Sequence, residues 1–243
     1  MIDAMPFTVV GGGDLLAVEP GQTVPFAVSV RLEGLAPEEF EFTVEGLDPD
    51  WTLIPSGSVR VEPGREHVER LFVKPPKAPE STAGDYPFAV RVRSLDTGES
   101  RSVQAVLHLK TFHHVGAEID PKKGYVSPFK RQNAFEVTVV NLGNREHTFS
   151  LAGSDPEDRL AFEFADDHVT IPPGSQRSVE VVANPVSTPV LSTGRLFGFS
   201  VTARATDSPA VVTQTQAQLE QRAFLSPVTL ILFLLAAAIV GAW

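Results

Sequence analysis

The sequence contains the same local pattern twice. Residues 59–73 read VRVEPGREHVERLFV and residues 169–183 read VTIPPGSQRSVEVVA, about 110 positions apart in a chain of 243. Each is a short alternating stretch, a Pro-Gly turn and a second alternating stretch. Proline presets φ and glycine admits φ > 0, so Pro-Gly favours a tight turn. Alternation places successive side chains on opposite faces of a strand. Read locally, both segments predict a β-hairpin.

The surrounding sequence repeats with the same interval. Phe26, Val28, Val30 and Leu32 alternate with Ala27, Ser29 and Arg31, and Phe135, Val137 and Val139 with Glu136, Thr138 and Val140. FEFTVEGL (40–47) matches HTFSLAGS (147–154), and each leads to an Asp-Pro pair, Asp48-Pro49 and Asp155-Pro156. KPPKAPESTAG and NPVSTPVLSTG both end in glycine, Gly84 and Gly194. A long strand with Phe88, Val90 and Val92 follows in one copy, and one with Phe199, Val201 and Ala203 in the other. Strands of this length with frequent turn signals and no soluble amphipathic helix predict an all-β fold: two tandem immunoglobulin-like antiparallel β-sandwiches. The expected boundaries are residues 1–112 and 113–221. A module of about 110 residues can bury its own core without a disulfide staple.

The rest of the chain calls for a different environment. Residues 223–243, AFLSPVTLILFLLAAAIVGAW, carry no charge. At 1.5 Å per residue such a helix spans roughly 31 Å, the thickness of a bilayer core. The expectation is one C-terminal transmembrane helix. Arg222 precedes it, and the positive-inside tendency puts that flank in the cytoplasm. The N-terminus, MIDAMPFTVVGGGDLL, has no basic n-region and no long apolar core, unlike a secretory signal. Both readings place the sandwiches on the cytoplasmic side of a single-pass membrane protein.

Composition narrows the chemistry. The formal net charge is −10, the opposite of a nucleic-acid footprint. There is no cysteine, which removes disulfides, thiol nucleophiles and cysteine-ligated metals. His113-His114 invites a metal reading, but adjacent residues on a strand point to opposite faces, and no further ligand stands at regular spacing. The acidic groups Asp155, Glu157, Asp158 and Asp166, Asp167, His168 lack EF-hand spacing and read as solvated turns. No nucleophile elbow or phosphate loop is present, and GGG at 11–13 precedes a strand, reading as a flexible lead-in. Trp51 reads as core packing, with Leu160 as its counterpart. No catalytic residue, metal ligand or cofactor is assigned.

The best contact candidate lies where the copies differ. Between the first two strands the first copy has EPGQTVPF and the second DPKKGYVSPFKRQNAF, which reads as an insertion of about eight residues. It carries Lys122, Lys123, Lys130 and Arg131 with Tyr125 and Phe129, a cationic and aromatic cluster on an acidic protein. Anionic lipid headgroups or an acidic patch on a protein partner would suit it.

The succession FEVTVVNLGN, V-x-[VI]-[EP]-P-G and PFAVRV resembles a bacterial β-sandwich module found beside the catalytic domains of some alpha-galactosidases and, in tandem before a membrane helix, in actinobacterial membrane proteins. The resemblance covers roughly residues 12–220. It implies binding, spacing or anchoring and brings no catalytic residues. Some of those relatives are encoded among contractile-injection genes. The function expected is therefore a non-enzymatic membrane-anchored adaptor, tethering a large assembly through a protein partner. The alternative is an envelope-exposed carbohydrate-binding or adhesion accessory protein.

Overall fold

The structure is a computed structural model that describes residues 7–127, 129–187 and 194–222, together with Ile231. The chain separates into two compact units at Phe112/His113. The expected transmembrane helix, 223–243, lies outside the described residues except for Ile231. Among the described residues no helix is long and apolar enough to cross a membrane.

The first unit holds β1 (Phe7–Gly11), β2 (Leu15–Val18), β3 (Val24–Leu32), β4 (Glu38–Glu45), β5 (Thr52–Leu53), β6 (Ser58–Val61), β7 (Glu66–Val73), β8 (Gly84–Ser94) and β9 (Ser100–Leu109). One sheet runs β1-β3-β7-β5 and the other β2-β9-β8-β4-β6. The second unit repeats this with β10 (Val115–Asp120), β11 (Lys123–Val126), β12 (Asn133–Asn141), β13 (His147–Ser154), β14 (Leu160–Phe164), β15 (His168–Ile171), β16 (Ser175–Pro185), β17 (Arg195–Ala205) and β18 (Val212–Gln221). Its sheets run β10-β12-β16-β14 and β11-β18-β17-β13-β15. Neighbours are antiparallel except β2 beside β9 and β11 beside β18. Two facing sheets, with the first strand split between them, make each unit an immunoglobulin-like sandwich.

Alternation explains the cores. Phe26, Val28, Val30 and Leu32 on β3 point inward against Phe88, Val90 and Val92 on β8. The second core repeats them with Phe135, Val137 and Val139 against Phe199, Val201 and Ala203. The Phe26–Phe88 rings meet edge-on at 5.4 Å and 72°, and Phe135–Phe199 at 5.1 Å and 75°. Edge-to-face contact of this kind suits the ring quadrupoles.

Two expectations are corrected here. The Pro-Gly segments are not hairpins. β6 pairs with β4 in one sheet and β7 with β3 in the other, so Pro63-Gly64 is a corner between sheets. Gly64 has φ +70°, Arg65 N donates to Glu62 O at 3.0 Å, and Gly64 N donates to Leu32 O. Pro173-Gly174 makes the same corner, with Gly174 N donating to Asn141 O. The GGG stretch is not a loose lead-in either. Gly11 ends β1, and a side chain there would drive into Val103. Gly12 N donates to Ala27 O at 2.8 Å as the chain crosses from one sheet to the other.

Candidate functional site

The cationic segment is not an insertion. β11 lies beside β18 in the register β2 has beside β9: Lys123 faces Gln218 as Leu15 faces Val106. Residues 122–126 therefore correspond to Asp14–Val18 of the first copy. The turn that follows is also shared. Lys130 N donates to Ser127 O at 3.1 Å, as Gln22 N donates to Glu19 O at 2.9 Å. The loop up to the next strand is longer by one residue. Thus Phe129, Lys130 and Arg131 stand where the first copy has Gly21, Gln22 and Thr23.

The structure divides the six predicted residues into two places. Tyr125, Lys130 and Arg222 form one. The Lys130 ammonium lies 4.4 Å from the Tyr125 ring centroid and the Arg222 guanidinium 4.3 Å from it. Cations near an aromatic ring are attracted by its quadrupole. Lys130 also donates to Asn133 Oδ1 at 2.7 Å, and Arg222 N donates to Val126 O at 2.8 Å. Phe129 on the adjoining turn is 83% exposed and Tyr125 43%; Arg131 is exposed beside them. Glu220 couples this place to the next. It accepts from Arg222 Nε at 3.1 Å and pairs with Lys123 Nζ at 3.0 Å. Bonds from Lys123 first and Arg222 second hold its carboxyl below the ordinary value.

Lys122 and Lys123 belong to the second place, a groove of about 730 Å³ on the outer face of the β11–β18–β17–β13 sheet. Ser154, Gly198, Ser200, Gln216 and Gln218 line it. Gly198 leaves the floor open, since a side chain there would meet nothing within 4 Å. Ser154 and Ser200 hydroxyls bond each other at 3.2 Å. Asp155 is occupied by its own turn: its carboxylate accepts from the backbone N–H of Glu157 (2.8 Å), Arg159 (2.9 Å) and Leu160 (2.6 Å).

The first sandwich has a groove at the same strand positions, about 610 Å³, lined by Asp14, Glu45, Pro87, Ala89, Gln104 and Val106. Strand register equates Asp14 with Lys122, Glu45 with Ser154, Pro87 with Gly198 and Val106 with Gln218. One scaffold therefore presents an acidic, partly apolar trough in one copy and a cationic, amide-rich trough in the other.

Two other expectations meet the structure. His113 and His114 precede β10 and are not on a strand. His113 Nδ1 lies 3.0 Å from His147 Nε2, and His147 Nδ1 lies 2.9 Å from an Asp207 carboxylate oxygen. His147 is buried at the start of β13, where β4 of the first copy has Glu38 bonded to Ser94 Oγ at 2.7 Å. Sequence reasoning missed His147 and Asp207, because a histidine opening a strand gives no local signal of burial. No group of three ligating side chains suited to a metal occurs among the described residues. Trp51 packs edge-on against Tyr86 at 5.5 Å, plugging the sandwich edge. Strand register puts Ala161, the neighbour of Leu160, at its place in the second copy, and Phe162 beside it meets Phe199 at 5.4 Å.

Sheet order and core thus define the class: a protein of two tandem immunoglobulin-like β-sandwiches. No family model matches the chain, and no curated protein matches it. Among solved structures it is similar to a protein of unknown function from Porphyromonas gingivalis W83 (13% identity, TM-score 0.35, covering 90% of this chain and 100% of that one). It is also similar to the D00-D0 domain of intimin (9%, 0.38, 88% and 98%) and to the YadV chaperone (13%, 0.30, 88% and 100%).

Proposed function

We propose that this chain is a non-enzymatic, membrane-anchored docking protein. Its two sandwiches act as a spacer and a protein-binding surface, and residues 223–243 hold it in the membrane with the sandwiches in the cytoplasm. The observation that carries this reading is the duplicated groove. The same trough recurs on both copies with its backbone kept and its lining changed, the pattern of a binding scaffold diversified for two contacts. Neither groove, among the described residues, places a histidine or a free carboxylate beside a hydroxyl. In the second, the Ser154 and Ser200 hydroxyls bond each other, Asp155 is taken up by its own turn, and Lys123 is paired with Glu220. The resemblance to tandem modules that precede a membrane helix supports the anchor. It also makes a large assembly, such as a contractile injection system, the partner class to look for.

The test is a photo-crosslinking amino acid placed in the full-length protein at Gln218 and Gln104, one in each groove, with a tag at residue 1. Discrete protein adducts from either groove, absent from a probe at exposed Leu35, are the expected outcome. Identical smears from all three positions would sink the docking role. Protease added to intact spheroplasts reads topology in the same cells. A sheltered tag keeps the cytoplasmic reading, and a tag removed from outside would shift the reading to an envelope-exposed adhesion or glycan-binding protein.

A further inference from the structure

The turn 127–130 and the chain exit at Arg222 are neighbours, and only in the second copy does an apolar stretch follow the exit. We infer that Tyr125, Phe129, Lys130, Arg131 and Arg222 form a collar that seats the second sandwich on anionic lipid headgroups. The inference rests on the anchor in the reading above.

The internal comparison carries it. In the first sandwich the exit residue is Lys110, whose N–H donates to Val18 O at 2.9 Å, as Arg222 N–H donates to Val126 O. The turn beside that exit reads Glu19-Pro20-Gly21-Gln22, with Thr23 after it. Its tip has no aromatic residue and no cation, and the chain there continues into another domain. The second copy replaces Gly21, Gln22 and Thr23 with Phe129, Lys130 and Arg131, and replaces Ala17 with Tyr125. Four positions around one exit have changed in the same chemical direction. That exit is the one followed by 21 uncharged residues.

The geometry suits an interface. Residue 222 is one Cα–Cα step, about 3.8 Å, from the first residue of the apolar stretch, and its backbone N–H is tied to Val126 O, next to Tyr125. Lys130 and Arg222 approach Tyr125 from its ring and hold it at that level. Aromatic and cationic side chains are the usual residents of the headgroup layer, the ring reaching the acyl boundary and the charges the phosphates. Phe129, 83% exposed at the turn tip, supplies the apolar wedge. Glu220 accepts from Arg222 and Lys123, which leaves Lys130 and Arg131 as the cations without a carboxylate partner among the described residues. An acidic protein is the competing occupant, and it would account for the charges alone. It would not account for the placing of phenylalanine and tyrosine at the foot of the apolar stretch.

The test uses the full chain reconstituted into vesicles. The chain has no cysteine, so Gln132→Cys, exposed beside the turn, takes a single polarity-sensitive fluorophore while leaving the collar intact. Leu35→Cys, fully exposed on the other sandwich, is the control. On vesicles with about one-third phosphatidylglycerol the probe at 132 is expected to shift to the blue and be quenched by headgroup-depth quenchers. The probe at 35 stays in water. Phosphatidylcholine vesicles, or salt near 1 M with a screening length of about 3 Å, reverse the shift. Lys130→Gln/Arg131→Gln and Phe129→Ser each weaken it, the double charge removal by about tenfold or more in the lipid concentration needed. A probe at 132 that stays aqueous on anionic vesicles overturns the collar and points the cations to an acidic protein. Flotation of the same samples after alkaline carbonate separates the two readings. A chain that floats with an aqueous probe keeps the anchor and loses the collar. A chain that washes off has lost the anchor, and its probe on anionic vesicles at neutral pH still decides the collar, because headgroup binding needs no span.

Discussion

His113 and Asp207, both exposed, flank the buried His147 in a hydrogen-bonded line whose chemistry depends on proton count. With Nδ1 of His147 donating to Asp207, its Nε2 is free to accept from the His113 Nδ1–H. A proton added at the far Nε2 of His113 leaves that bond in place but puts a positive charge beside His147 and Arg145. Burial first, then the neighbouring charges of His147 and Arg145, hold the His113 pKa below its ordinary 6.5, with Asp207 opposing. A histidine whose folded pKa is lowered costs nothing above 6.5. Stability is lost as pH falls from there through the folded value, because the unfolded chain binds the proton more readily. Burial pushes the Asp207 carboxyl up, but the bond from His147 and other favourable contacts leave it lowered overall. Its contribution persists above the ordinary carboxylate range and is lost in stronger acid. Urea unfolding followed at half-unit steps should therefore show stability declining as pH falls below about 6.5. His113→Asn should flatten that decline without touching the loss below pH 4. A wild-type curve flat from about pH 6.5 down to the carboxylate range would refute the relay.

At the scale of the element, β11 is held by one glycine. A side chain at Gly124 would collide with the Asn133 amide and the Phe135 ring, while the equivalent position in the first copy is Leu16. Gly124→Leu, which restores the first copy's residue, should overpack the site and cost about 1–3 kcal/mol. Because Tyr125 is the next residue, the same change should loosen its contacts with Lys130 and Arg222. Chemical denaturation gives the cost. A downfield or upfield move of the Tyr125 ring resonances toward free-tyrosine positions reads the second effect, and unchanged ring shifts would show that the collar does not need β11. This strand also shows where sequence reading stops. Phe135, Val137 and Val139 declare β12 because alternation records which face is dry. Lys-Gly-Tyr-Val has no apolar alternation, since its inward positions are a glycine and one valine, so it read as part of an insertion. The Pro-Gly corners failed for another reason: alternation fixes the face of a strand and says nothing of its partner. A corner between sheets and a hairpin leave the same local pattern. The six candidate residues were legible as a composition anomaly. Their division between a groove and an exit was not, because it depends on the parallel β11–β18 pairing, a contact of high sequence separation.

At the scale of the whole molecule, duplication explains how one fold can carry two surfaces. Each copy keeps the same Phe pair across its sheets and the same sheet-to-sheet corners, while the residues facing out have moved apart. The buried sets do not mix: all residues of one core come from β1–β9 and all of the other from β10–β18 and the turn at Val211. Changes to one outer face therefore need not disturb the other core. Phe40 and Phe149 occupy equivalent positions at the start of β4 and β13, and both are fully buried. Truncating such a ring typically costs about 3–5 kcal/mol, equivalent to a drop of about 10 °C or more for a domain of this size. If the copies are energetically separate, calorimetry of the full chain should resolve two transitions, with Phe40→Ala lowering one and Phe149→Ala the other. The His113→Asn effect should then follow the transition that Phe149→Ala identifies. A single transition lowered equally by both variants would mean that the copies fold as one cooperative unit. In that case the outward divergence of each groove would have been constrained by both cores, and the groove chemistry of one copy could not be altered without cost to the other.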